Sequence, residues 1–183
     1  MKLFLKKSTL FFLLTCTGIF LLLMLYTGRS LRTPETPEGI LNLEFAYNGK
    51  KVNQVLGSWK KYADSTEDII TAAKNNTYLD FIFLFFYSLF LFTCCRQLAR
   101  SLLHQEVFKK IFFILSACAL LTGLLDIIEN TGMLVSLNGA GSDAVAKVTT
   151  ISAGIKWILV LLLIVFIACG FIYRYSFFRK KRE

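Results

Sequence analysis

Residues 120–133, which read LLTGLLDIIENTGM, place two acids and an amide inside an otherwise apolar segment. Asp126, Glu129 and Asn130 stand three and four residues apart, and at 3.6 residues per turn this spacing puts them on one helix face. Carboxylates can hold a proton or a cation, and an amide can orient either one by hydrogen bonding. Charges inside a membrane segment are costly and usually face protein or a water-filled cavity, so this face is a candidate site.

The composition indicates a membrane protein. Hydrophobic residues make up 55% of the chain, aromatic residues 15%, and the mean hydropathy is +0.58. Most apolar residues fall in runs long enough to cross a bilayer, and the sequence predicts four membrane spans at 8–28, 79–95, 111–137 and 148–173. The first run is too long for the apolar core of a signal peptide, so we interpret it as an uncleaved anchor.

The basic residues predict the orientation of these spans. Of the 21 lysines and arginines, 12 lie in residues 1–7, 96–110 and 174–182. By the positive-inside rule, both termini and the middle connection are predicted to be cytoplasmic, and residues 29–77 and 138–147 to face outward. The net charge of +9 is therefore explained by topology, and no nucleic-acid partner is expected.

The outward segment 29–77 is predicted to fold as a small α/β cap. Apolar and polar residues alternate as in a half-buried strand, with the apolar set Leu41, Leu43, Phe45 and Tyr47. Apolar residues of 52–62 recur at helical spacing, and Ser65 with Asp68 resembles a capping box before the second span. The predicted fold is an all-α membrane protein, a four-transmembrane-helix bundle with this cap between helices 1 and 2. Its predicted parts are 1–28, 29–77 and 78–183.

Distances along the helices predict that charges on three spans meet at one depth. Asp80 and Asp126 each lie 16 residues from a basic residue at the cytoplasmic end of their helix, and Lys156 lies 18 residues away. These separations are about 24 to 27 Å in a hydrocarbon core about 30 Å thick. Glu129 lies one turn further out, and Tyr87 shares a heptad face with Asp80. Three acids and one lysine would sum to minus two, so the group must take up protons, bind a cation or be hydrated.

Two non-functional interpretations remain open at this stage. The charges could mark the outer ends of the helices, with Lys156 reaching the interface beside Trp157. Alternatively, Lys156 and Asp126 could form a structural ion pair that fixes helix packing and implies no chemistry.

Few other residues suggest a reaction. The five cysteines all fall in predicted spans, which excludes an external disulfide framework. His104 is the only histidine and is predicted to be solvated in the cytoplasmic connection, which excludes a histidine-rich intramembrane metal site. No phosphate loop, dinucleotide fingerprint or serine nucleophile elbow occurs. Cofactors and a metal are left unassigned.

Two resemblances bear on the architecture. Four spans with inside termini and a strand-containing outer loop look like claudins, although of that family's loop signature only Trp59 is available. The combination LNLEFAYNG, YLDFIF, LLTGLLDIIEN and GIKW resembles a group of uncharacterised bacterial four-helix membrane proteins and covers most of the chain. That resemblance implies a multi-pass protein of the bacterial inner (plasma) membrane and assigns no activity.

These observations predict an outward-facing intramembrane acidic site that binds or translocates a cation, a proton or an amphiphilic small ligand. The candidate residues are Asp80, Tyr87, Asp126, Glu129, Asn130 and Lys156. The first alternative is a non-catalytic accessory or structural subunit that binds a partner membrane protein, or a second copy of itself, within the lipid bilayer. The second is an intramembrane lipid-modifying enzyme, for which the chain offers few metal ligands.

Overall fold

The computed structural model describes residues 7–62, 69–101 and 105–180. The described residues form six α-helices in the order α1 Lys7–Thr27, α2 Ile40–Glu44, α3 Gly49–Lys61, α4 Ile69–Ser101, α5 Glu106–Val135 and α6 Asp143–Lys180. The 3-10 turn Gly28–Leu31 extends α1, and the π-helical turn Ser136–Ala140 follows α5. The predictions for His104 and for Ser65 with Asp68 lie outside the described residues.

Four helices, α1, α4, α5 and α6, are long and apolar enough to cross a membrane. They confirm the prediction of an all-α multi-pass membrane protein with four spans. Helix α4 packs against both α1 and α5, and α6 packs mainly against α5. Large apolar side chains such as Phe11, Leu22 and Ile158 remain exposed on the outer faces of the spans. This is expected where helices face lipid, which is as apolar as they are.

The predicted strand in the cap is wrong. Residues Ile40–Glu44 form the short helix α2, and the described part of the chain contains no β-strand. The alternation also fails as a facing pattern, because Phe45 is 44% exposed whereas Ala46 is buried. A strand must pair its backbone groups with a second strand, but here the amides of Phe45 and Ala46 bond locally to carbonyls of Leu41 and Leu43.

The helical cap packs around Trp59 of α3. This side chain is fully buried, and its indole N–H donates to the Leu31 carbonyl at 2.9 Å and to Thr36 Oγ1 at 3.1 Å. The same apolar core contains Leu43 of α2 and Met133 of α5, so cap and bundle share it. The cap is thereby held against one end of the helix bundle.

Polar contacts fasten the cap to α6. Asp143, the first residue of α6, accepts from the Gly49 amide at 2.7 Å, and Thr150 donates to the Glu44 carbonyl at 3.0 Å. These contacts place α2 directly beside the N-terminal half of α6.

Candidate functional site

Two glycines of α5 bring the candidate residues together. A Cβ atom on Gly123 would lie 3.1 Å from the Ser88 side chain of α4, and one on Gly132 would collide with Thr149 Oγ1 of α6. Helices can approach this closely only where one of them lacks a side chain. Gly123 and Gly132 flank Asp126 and Glu129, so the acidic face of α5 is pressed between α4 and α6.

Lys156 of α6 binds both acids of α5. Its Nζ atom donates to Asp126 Oδ1 at 2.9 Å and to Glu129 Oε1 at 2.8 Å, and Glu129 Oε2 lies 2.7 Å away. The ammonium also lies 5.5 Å from the centre of the Trp157 ring. Lys156 is buried. Its ammonium group therefore pairs with carboxylates inside the bundle and does not extend to the protein surface.

The other oxygen of Asp126 binds α4. Tyr87 donates its hydroxyl to Asp126 Oδ2 at 2.8 Å. Asp126 is 1% exposed and Glu129 is fully buried. Four of the six predicted site residues, Tyr87, Asp126, Glu129 and Lys156, are therefore joined by hydrogen bonds across three helices.

Asp80 and Asn130 are buried at the same site without joining this network. Among the described residues Asp80 has no ion-pair partner within 4.0 Å, although it interacts electrostatically with Asp126 and Lys156. Asn130 is fully buried near Asp80, and neither its amide nitrogen nor its amide oxygen meets a partner with hydrogen-bond geometry in the described structure. Asp80 interacts electrostatically with Asp126 from α4, and Asn130 lies one turn after Asp126 in α5.

Sequence analysis missed a fourth acid, Glu44 of α2. It is buried and accepts from the Trp157 indole N–H at 3.4 Å. Lys156 and Asp126 act on it electrostatically, and Glu44 in turn acts on Glu129. Burial raises the pKa of Glu44, and Lys156 opposes that rise. The signal was present, because Glu44 is the one acid in the apolar stretch LNLEFA, but the strand interpretation assigned it to the solvent face.

We call these acids together the carboxyl cluster: Glu44, Asp80, Asp126 and Glu129. Lys156 is the only ammonium among the groups acting on Glu44. Four ionised carboxylates with one ammonium would carry a net charge of minus three, one more negative charge than the sequence predicted. Within the described chain no three His, Cys, Asp or Glu side chains are arranged to hold a metal ion.

A separate cavity lies in the cap. It has a volume of about 620 Å³ and is lined by residues of the loop before α2, of α2 and of α3, including Glu38, Leu41 and Phe45. None of its lining residues belongs to the carboxyl cluster. Comparison with protein-family models, curated proteins and solved structures finds no match to the chain, so its function must be argued from this geometry.

Proposed function

We propose that this multi-pass membrane protein binds and releases protons at the carboxyl cluster. The observation that supports this proposal most directly is that four buried carboxyl groups share one ammonium group. Taking an unpaired carboxylate out of water costs several kcal/mol or more, and a buried acid normally takes up a proton instead. Lys156 compensates Asp126 and Glu129 by direct contact and leaves Asp80 and Glu44 without an ammonium of their own.

The unpartnered amide group of Asn130 near Asp80 favours a proton over larger ligands. A protonated carboxyl group can donate to an amide oxygen and accept from an amide nitrogen, whereas an ionised one can only accept. Both amide atoms of the buried Asn130 lack a partner with hydrogen-bond geometry among the described residues. A neutral Asp80 therefore complements Asn130 better than an ionised one. A proton also needs no cavity, in keeping with side chains that are 0 to 6% exposed.

Asp80→Asn tests this function. An asparagine mimics the neutral acid, so at a pH below about 3.9, where the unfolded chain is protonated as well, we expect the free energy of unfolding to change by less than about 1.5 kcal/mol, the size of one neutral hydrogen bond. Infrared spectroscopy of the full chain in detergent at neutral pH should show a carboxylic-acid C=O band that weakens in this variant.

Glu106→Gln is the matched control, since Glu106 is exposed near the start of α5. It should leave the carboxylic-acid band unchanged. A parent protein with no such band at neutral pH would mean that all four acids are ionised, and the proton-binding function would be wrong. The charges would then serve helix packing, as in an accessory subunit.

We further propose that the spans lie in a bacterial inner membrane with both termini cytoplasmic and the cap outside, as the basic residues favour. In a cysteine-free background, Asn53→Cys in α3 and Ser142→Cys before α6 are both exposed positions. They should react with an impermeant thiol reagent added to intact cells, and the exposed Lys110→Cys should react only after the membrane is opened. The reverse pattern would invert the orientation.

A further inference from the structure

Glu44 differs from the other three acids in the type of helix on which it lies. Asp80, Asp126 and Glu129 lie on spanning helices, whereas Glu44 is the last residue of α2, a helix of five residues in the cap. Helix α2 begins after Gly39, whose positive φ of 65° is a conformation that favours glycine. The carboxyl cluster is thus completed from outside the membrane by a short element that does not span it.

The contacts of Glu44 are few and come from neighbouring helices. Within the described parts of the chain its carboxylate accepts a single hydrogen bond, the long one from Trp157, and Thr150 donates to its backbone carbonyl. The charged groups facing it are Lys156 of α6, Asp126 and Glu129 of α5, and Asp80 of α4. Since Lys156 already contacts both acids of α5, Glu44 adds a carboxyl group for which no further cation is present in this group of residues.

Glu129 Oε2 is buried and has no hydrogen-bond donor with suitable geometry among the described residues, and Glu44 is one of the charged groups that act on Glu129. Two carboxylates have no hydrogen to share, so a hydrogen bond between them requires that one be protonated. Two carboxyl groups at one site commonly retain a proton for this reason, because like charges at short distance disfavour double ionisation. This pair links the cap to the Lys156 network.

The solvent side of α2 is open. Leu41, Asn42 and Phe45 line the cap cavity of about 620 Å³. Its volume falls in the range of solvent-filled or ligand-binding clefts. Glu44 itself is buried and does not line this cavity, but the next residue, Phe45, does, so one residue separates the cavity lining from the carboxyl cluster.

We propose that Glu44 and Glu129 share a proton and that Glu44 is the outer gate of the carboxyl cluster, the group through which protons exchange between the external surface and Glu129. This inference rests on the proposed proton-binding function. The step is a proton transfer: the O–H bond of one carboxylic acid breaks as the other carboxylate accepts the proton. Displacement of α2 separates the pair and closes the path.

Glu44→Gln should slow proton exchange. After a rapid pH change, proton uptake by the full chain in detergent, followed with a pH-indicator dye, should become about 100-fold slower than in the parent protein, the smaller end of what a positioned proton-transfer group contributes. Glu106→Gln is the control, because Glu106 is an exposed acid near the start of α5 and does not line the cap cavity. It should leave the rate unchanged.

Equilibrium stability gives a second readout that does not depend on rates. Because burial raises the pKa of Glu44 above its ordinary value of 4.5, the folded protein retains a proton that the unfolded chain loses. Stability contributed by this group is present at low pH and is lost as pH rises above 4.5 towards the folded pKa. We expect Glu44→Gln to flatten this part of the profile and Glu106→Gln to preserve it.

A third variant separates gating from charge. Thr150→Val removes the bond that tethers the Glu44 carbonyl while keeping the carboxyl group. If α2 governs access, this variant should alter the exchange rate while the carboxylic-acid band persists. If Glu44→Gln matches Glu106→Gln in rate and in pH profile, Glu44 is not the gate. The proton-binding function would still stand in that case if Asp80→Asn weakens the infrared band, so the two proposals fail separately.

Discussion

Replacing Lys156 with methionine will destabilise the folded protein by about 3 to 5 kcal/mol at neutral pH, because breaking a buried ion pair leaves an uncompensated buried charge. Asp126 and Glu129 both lose their ammonium, and both are almost completely buried. Unfolding of the purified protein in detergent, followed against temperature or denaturant, measures the loss. Lys147→Met on the exposed side of α6 is the control and should change stability by no more than about 0.5 kcal/mol.

The loss of stability caused by Lys156→Met should depend on pH and on the charge of its partner Asp126. At low pH the carboxyl groups are neutral and need no cation, so the effect of Lys156→Met should shrink as pH falls. Adding Asp126→Asn should recover part of the stability, since one stranded charge is removed and the two sites interact directly. If the stability losses of Lys156→Met and Asp126→Asn simply add in the double variant and do not depend on pH, the two residues do not share one network.

The part of the site on α5 could be predicted because helix periodicity is a local property. Asp126, Glu129 and Asn130 share a face in any α-helix. Counting residues from the predicted cytoplasmic ends indicated that Lys156 lies level with Asp126, and in the structure Lys156 contacts Asp126 and Glu129. Height along a helix does not determine rotation about its axis, however. Asp80 was predicted at the same depth, yet it faces the amide of Asn130 and lies outside the ion pair.

The contribution of the cap could not be predicted for a different reason. Alternation over residues 41–47 has the period of a strand, but a strand also needs a partner, which the sequence of the cap does not supply. Without tertiary contacts, nothing indicated that Glu44 would turn towards α6 and approach Trp157. Long-range contacts, here more than 100 residues apart in sequence, decide the position of this acid.

Trp59→Ala should lower the stability of the cap by about 3 to 5 kcal/mol, the usual effect of truncating a large buried aromatic side chain. Trp59 is the largest fully buried side chain of the described structure, and its loss also leaves the Leu31 carbonyl without the indole donor. Limited proteolysis in detergent should cut the cap faster in this variant. Trp59→Phe keeps most of the apolar area and loses only the N–H group, so it should fall between the variant and the parent protein.

Tyr47→Ala is the matched control, since this aromatic residue of the cap is 54% exposed and should tolerate truncation. Equal cleavage of the parent protein, Trp59→Ala and Tyr47→Ala would contradict a folded cap.

The variant Trp59→Ala also tests the carboxyl cluster, although Trp59 is not part of it. Trp59 shares the apolar core with Leu43, the neighbour of Glu44 in α2. If packing around Trp59 holds α2 in place, Trp59→Ala should reproduce the flattened pH profile of Glu44→Gln, even though it removes no titrating group.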